Sequence, residues 1–224
     1  MEINMNEARP NRSHADQARG RLLDAALPLV PFEGWSGSLL RLAARDAGMS
    51  DDELALYCPE GVISLIVFWW RQMDESARKS IATGESPAKI RERIRRAVLL
   101  RLEAGKGHED ALARARARLL LPDGIATGAE LTWKTSGMIW RAIGDTSTDA
   151  NWYSKRAILT GVWTSTLAIW LSEADAEKPE TKAFLDRRIA NVMEFEKVKA
   201  KVNKQLAGLP DFAAIAAKMR YGTR

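Results

Sequence analysis

The chain is poor in the residues that make covalent and metal chemistry easy. It has one cysteine, Cys58, and two histidines, His14 and His108, among 224 residues. No internal disulfide and no dense Cys/His metal cage can be built from that set, which points to a reducing compartment. A di-iron helical bundle needs Glu-x-x-His pairs, and neither histidine belongs to one: Gly105 stands three before His108, and Asn11 three before His14. Phosphate-cradling glycine loops and nucleophile elbows are also absent. Asp145 and Asp149 are four apart and able in principle to do acid–base work, but helix capping accounts for both more simply. The expectation is a protein with no catalytic residues, metal or cofactor.

Long apolar runs are missing too. The stretch Leu54–Trp70 is nearly uncharged, yet Pro59-Glu60-Gly61 interrupts it well short of the roughly 20 apolar residues a spanning helix needs. The polar start, Met1–Arg12, carries Glu2 and Glu7 and has neither a secretory core nor the acid-poor pattern of a transit peptide. From it follows the expectation of a cytoplasmic protein, lying peripherally on the cytoplasmic membrane in bacterial fashion.

What is present is helical periodicity. Hydrophobic residues make up 46% and charged residues 28%, as in ordinary globular domains. Apolar residues recur at three- and four-residue steps nearly everywhere, with no sustained period-2 alternation. The reading is all-α. Helices are expected over Ala15–Val30, Gly37–Ala47, a segment opened by Ser50, Val62–Ile81, Ala88–Glu103, Glu109–Leu121, Ile125–Ile143, Trp152–Ser172, Glu180–Leu206 and Asp211–Arg220. Gly and Pro clusters punctuate them. The expected organisation is a disordered N-terminus (1–14), a helix-turn-helix subdomain (15–60), a helical ligand and dimerisation domain (61–207) and a terminal amphipathic helix (208–224).

Residues Arg21–Gly61 are similar to the N-terminal domain of TetR-family repressors in the order and spacing of their helices and turns. The chemistry of the second helix opposes DNA binding. From Ala47 to Trp70 there is no Lys or Arg, while Asp51, Asp52, Glu53 and Glu60 place negative charge where a recognition helix must meet phosphates. The unit is therefore expected to pack rather than to read nucleic acid. A TetR-type regulator with a hydrophobic ligand is the alternative reading.

The stretch Gly144–Thr166, GDTSTDANWYSKRAILTGVWTST, opens with a run of able N-caps. Asn151, Trp152 and Tyr153 follow, placing polar groups and two amphipathic rings at a helix corner, where such rings often anchor interfaces. With the acidic Leu171–Glu177 and the segment Thr181–Ile189, it resembles the Coq-nine family of coenzyme Q accessory proteins. The resemblance implies a homodimeric TetR-like fold without DNA binding, a pocket for isoprenoid lipids such as quinone precursors, and delivery to the di-iron hydroxylase Coq-seven. By position, the partner patch would comprise Asp149, Asn151, Trp152 and Tyr153, with Ile139 and Trp140 nearby. Ala150, Ser154 and Ile139 depart from the usual family residues.

Aromatic spacing adds to this. Trp133 and Trp140 lie seven apart, as do Trp163 and Trp170, with Leu159 and Thr166 continuing the second stripe. Beside small residues such as Gly137 and Gly161, these six form the expected lipid-binding set, although such stripes are more often solid core. At the end of the chain, Phe212, Ile215 and Met219 form an apolar stripe with Lys218 and Arg220 on another face. From Phe195 onward seven basic residues face two acids, so the net charge of +5 is concentrated there and a membrane contact is expected.

Overall fold

The structure, a computed structural model, describes residues 8–84, 86–146 and 150–207, with side chains described from 14 and up to 194 outside the same gaps and residues 150–151. The expected terminal helix with Phe212, Ile215, Lys218, Met219 and Arg220 lies outside the described residues, as does Asp149. Among the described residues the chain is entirely helical. The order of helices is consistent with a TetR-like class.

Helix α1 spans Ala8–Ala26 and runs through a 3-10 turn, Leu27–Leu29, into the short α2, Val30–Glu33. It starts before the expected Ala15; the polar Ala8–His14 has no apolar stripe to signal a helix, and Pro10 sits in the first turn, where it is tolerated. Gly34 then turns the chain at φ +61, a conformation open chiefly to glycine. Ser36 caps α3 (Gly37–Asp46) by accepting from the Leu39 amide at 3.1 Å.

Gly48, at φ +64, makes the corner into α4 (Asp51–Tyr57). Here Ser50 and Glu53 form a reciprocal capping box: the Ser50 amide donates to Glu53 at 2.9 Å, and the Glu53 amide to Ser50 Oγ at 3.3 Å. These bonds to Ser50 hold the Glu53 carboxyl below its ordinary pKa. The helix in the position of a recognition helix is thus a seven-residue acidic corner.

The remaining helices are α5 (Val62–Thr83), α6 (Ile90–Glu103), α7 (Glu109–Leu119), α8 (Ile125–Ala142), α9 (Ala150–Ser172) and α10 (Pro179–Ala207). Helix α5 is the axis of the core, packing on α6 and α8, while α9 packs on α8 and α10. Trp35 ties the N-terminal unit to the body. Its indole N–H donates to the Ala111 carbonyl at 2.9 Å and its ring lies 5.6 Å from that of Trp69.

A polar knot sits inside the apolar core. Arg101, 1% exposed, donates to Asp74 at 2.5 Å, and its guanidinium faces the rings of both Trp70 and Trp163, at 5.1 and 5.2 Å. Trp70 Nε1 donates to Thr135 Oγ1 at 2.9 Å, and that hydroxyl lies 3.0 Å from Asp74. Burial pushes the Asp74 pKa up and that of Arg101 down, and their mutual attraction works against both shifts.

At the far end, Glu173 joins α9 to α10 by accepting from the amides of Glu180 and Thr181 at 2.7 and 2.8 Å and from the Thr181 hydroxyl at 2.6 Å. Lys178 adopts a positive φ of 51 there and bonds the carbonyls of Trp170 and Glu173.

Candidate functional site

Helices α6, α9 and α10 do not close completely on one another. Between them lies a cleft of about 390 Å³, within the size range of ligand pockets. Its walls are Ile90 and Ile94 from α6, Ile158, Leu159 and Val162 from α9, and Ile189, Val192 and Met193 from α10. Ile90 and Met193 are exposed apolar side chains at its edge. The spacing of Ile158, Leu159 and Val162 explains the α9 wall, since these positions share one helical face.

One end of the cleft is polar. Lys155 Nζ bonds Asp145 at 2.7 Å and lies 5.4 Å from the ring of Trp140, whose indole N–H donates to the Lys155 carbonyl at 3.1 Å. Ser154 precedes Lys155 in the lining, and Arg91 of α6 also borders the cleft. Another hollow, about 760 Å³, is an open trough between α1 and α5 lined by Asp16, Arg19, Arg71, Glu75 and Lys79. Its charged walls suit water better than an apolar chain.

Of the six residues expected to hold lipid, the structure brings two, Trp140 and Leu159, to the cleft. Trp163, Thr166 and Trp170 are sealed in the solid core instead. Trp163 meets Trp70 edge-on at 6.5 Å, Thr166 returns its hydroxyl to the Val162 carbonyl at 2.7 Å, and Trp170 carries the Lys178 ammonium over its ring. Trp133 is half-buried and meets Trp152 edge-on at 6.4 Å. Helical spacing groups residues on a face but does not say whether that face meets a neighbour or a void. Ile158, Val162, Ile189 and Val192 were missed because nothing about an aliphatic residue separates cleft wall from core.

The space beside Gly137 is also filled. A Cβ there would lie 2.7 Å from Cζ of Arg156, so Gly137 admits the guanidinium rather than a ligand. Arg156 is 7% exposed and stacks on the ring of Trp152 at 3.5 Å. Its Nε has no partner, and no ion pair reaches it among the described residues. Burial pushes its pKa down and nearby Arg141 adds to that, with Asp145 and Tyr153 opposing.

Of the expected partner patch, Trp152 is half-buried, Tyr153 is 64% exposed and the two rings meet at 4.6 Å. Ile139 is fully buried in the core. The side chain of Asn151 lies outside the described residues.

Comparison with known proteins matches residues 125–196, which run from α8 into α10, to the family described as COQ9. The chain is 30% identical over 186 residues to the "Ubiquinone biosynthesis protein COQ9, mitochondrial" of Xenopus tropicalis, covering 80% of this chain and 58% of that protein. To the protein of the same name in Rattus norvegicus it is 29% identical, covering 80% of this chain and 59% of the relative. The "Probable ubiquinone biosynthesis protein coq9, mitochondrial" of Dictyostelium discoideum is 22% identical, over 80% of this chain and 61% of the relative. The chain thus spans less than two thirds of these relatives' length.

Their names correct one expectation. A bacterial-type cytoplasmic location was read from Met1–Arg12, whereas the relatives are named mitochondrial proteins. The composition of twelve residues, in a chain matching only part of its relatives, says nothing about where the protein resides. The expected resemblance fares better: residues 125–196 match the COQ9 family, and that segment contains the cleft walls of α9 and α10 and the Trp152–Arg156 stack.

Proposed function

We propose that this protein is a non-enzymatic accessory factor of ubiquinone biosynthesis that seats the isoprenoid tail of a quinone precursor in the α6–α9–α10 cleft. It presents the head group to a Coq-seven-type di-iron hydroxylase. The observation that carries this reading is continuity: Ser154 and Lys155, at the polar end of the cleft, directly follow Trp152 and Tyr153 in α9. A tail lying against Ile158, Val162 and Met193 leaves its head group beside the rings on which a partner would dock. Cavities of this size with mostly apolar walls and a few convergent polar groups are the usual form of small-molecule sites. The names of the relatives support the pathway.

The Arg156 stack favours a partner surface that brings a carboxylate, since a buried guanidinium without a counter-ion gains most from one. Homodimerisation through α9 and α10 belongs to the same reading. Helix α9 is apolar on average around its whole circumference, which favours cover on more than one side. The basic tail after Pro210 would hold the assembly at a membrane. The regulator alternative is weaker, because α4 offers phosphates only Asp51, Asp52 and Glu53.

Native mass spectrometry of protein purified gently from quinone-producing cells is expected to find an isoprenoid lipid bound. Ile158→Trp, which fills the cleft from a half-buried wall position, should remove it while the helical circular dichroism spectrum is kept. Lipid bound equally by wild type and Ile158→Trp would move the site elsewhere, and lipid-free wild-type protein would end the proposal.

A further inference from the structure

The corner between α7 and α8 carries a separate arrangement. Arg114 donates to Asp110 at 2.9 Å, and Arg118 forms a two-point bridge to Asp123 at 2.8 and 2.6 Å. Arg116, on the same helix, has no hydrogen bond or ion pair among the described residues. It is partly buried, and its pKa is pushed down by burial alone, with no carboxylate opposing.

The Arg116 side chain walls an apolar cleft of about 290 Å³ together with Leu119, Leu120, Ile125 and Leu167. This cleft uses a different face of α9 from the one that lines the α6–α9–α10 site. At its mouth the chain turns through Pro122 and Gly124, and Leu120, Leu121 and Ile125 stand 70%, 50% and 55% exposed. Single exposed leucines are ordinary, but three large aliphatic side chains on one corner, continuous with a cleft, mark a contact surface. The Arg118–Asp123 bridge spans the turn and holds it in shape.

A lone cation at the rim of an apolar cleft, beside aliphatic side chains pointing outward, is complementary to an amphiphile with an anionic head group. A single dissolved amphiphile in the cleft would leave Leu121 in water, since Leu121 is not among the cleft walls. A lipid leaflet covers all three aliphatic residues and brings phosphate to the guanidinium, whose stem can lie along the apolar surface. We propose that the α7–α8 corner is a membrane contact in which Leu120, Leu121 and Ile125 enter the boundary between head groups and acyl chains while Arg116 takes a lipid phosphate. This contact is independent of the quinone-precursor reading and of the basic C-terminal tail.

The test uses the full chain carrying Leu121→Cys, labelled with an environment-sensitive fluorophore. Cys58 is buried and its thiol is pushed up to about 11 by desolvation, so the label goes to position 121. Vesicles of phosphatidylcholine should shift the emission to the blue, and vesicles that also contain phosphatidylglycerol should do so at lower lipid concentration. Arg116→Gln should weaken the anionic-vesicle response about fivefold, with Arg116→Lys restoring most of it.

Adding Leu120→Ser and Ile125→Ser to the labelled chain should abolish the shift. Because the label reads only this corner, membrane binding by any other segment produces no shift. An unshifted label on protein that sediments with vesicles would overturn the proposal. So would a shift that grows with protein concentration in the absence of lipid, which would assign the corner to a second copy of the chain. A shift produced by dissolved fatty acid but not by vesicles would assign it to a free amphiphile. An Arg116→Gln response equal to wild type on anionic vesicles would remove the phosphate assignment.

Discussion

Two buried arginines, both against tryptophan, one reaching α9 from α6 and one carried by α9, sit in different chemical situations. Arg101 faces both Trp70 and Trp163 and, although its Nη2 makes no hydrogen bond, it has a carboxylate, Asp74, that Thr135 helps to orient. Arg156 lies on Trp152, has its Nε unpartnered and forms no ion pair among the described residues. A buried charge pair costs desolvation that its own attraction largely repays, whereas a buried charge without a partner leaves that cost standing. The first arginine therefore belongs to the fold. The second is placed where a carboxylate from outside would add binding free energy, next to the polar end of the α6–α9–α10 cleft.

The two arginines should differ most in what their removal does to folding. Arg101→Ala strands Asp74 in the core, and removing one partner of a buried pair typically costs about 3–5 kcal/mol, a large part of the stability of most domains. Urea unfolding should place Arg101→Ala close to the limit of folding. The double replacement Arg101→Met with Asp74→Leu should be less damaging than either single change, because no uncompensated charge then remains. A double variant worse than both singles would mean that the ion pair itself is a net source of stability.

Trp152→Ala is the next largest change and should act on binding rather than folding. Loss of an aromatic anchor costs about 2 kcal/mol or more at an interface, so association with a Coq-seven-type hydroxylase, read by surface plasmon resonance, should fall at least about thirtyfold. Unfolding of Trp152→Ala would instead place its ring with the core tryptophans.

Gly137→Ala sharpens the difference further. Its new methyl group would meet the guanidinium of Arg156 at 2.7 Å, but that group is the far end of a flexible side chain. Alanine in place of a mid-helix glycine favours the helix by about 1 kcal/mol, so thermal stability should change by no more than about that amount in either direction. Hydroxylase association should nevertheless weaken, because Arg156 must leave its place on Trp152. Equal loss of stability and of binding would show that the stack supports the fold.

The smallest effect concerns the α9–α10 joint. Burial pushes Glu173 up, but hydrogen bonds from Thr181 and the amides of Glu180 and Thr181, with the Lys178 charge, leave its pKa below the ordinary carboxylate value. A carboxyl depressed in the folded state contributes stability above its unfolded pKa and loses it as pH falls through the folded pKa. Glu173→Gln should therefore lower the melting temperature at neutral pH and flatten its fall below about pH 4.3, the ordinary glutamate pKa. Parallel melting curves for variant and wild type through that range would refute the role of this cap.

Much of the fold was legible because glycine, proline and capping residues mark most helix ends. Ser50 with Glu53 announces α4, and Gly48 and Gly61 stand at corners that need a positive φ. The polar knot was not read, although a signal existed. Arg101 continues the buried stripe Ala97, Val98 and Leu102 on α6, and Asp74 continues Trp70, Met73 and Ala77 on α5. A charged residue in a core register on each of two helices is the trace a buried pair leaves in a sequence. Nothing comparable marked the cleft, which exists because α6, α9 and α10 leave a gap, a fact about three helices at once. Trp140 and Leu159 were reached through helical spacing, and that same spacing also collected Trp163 and Trp170, which belong to the core.

The proposed isoprenoid tail lies between α6, α9 and α10. Photo-crosslinking with a diazirine-bearing prenyl probe, followed by peptide mass spectrometry, tests this placement residue by residue. Adducts are expected on the peptides holding Ile158 to Val162 and Ile189 to Met193, and should be lost in Ile158→Trp. Adducts confined to the trough between α1 and α5, or retained at full yield in Ile158→Trp, would contradict it.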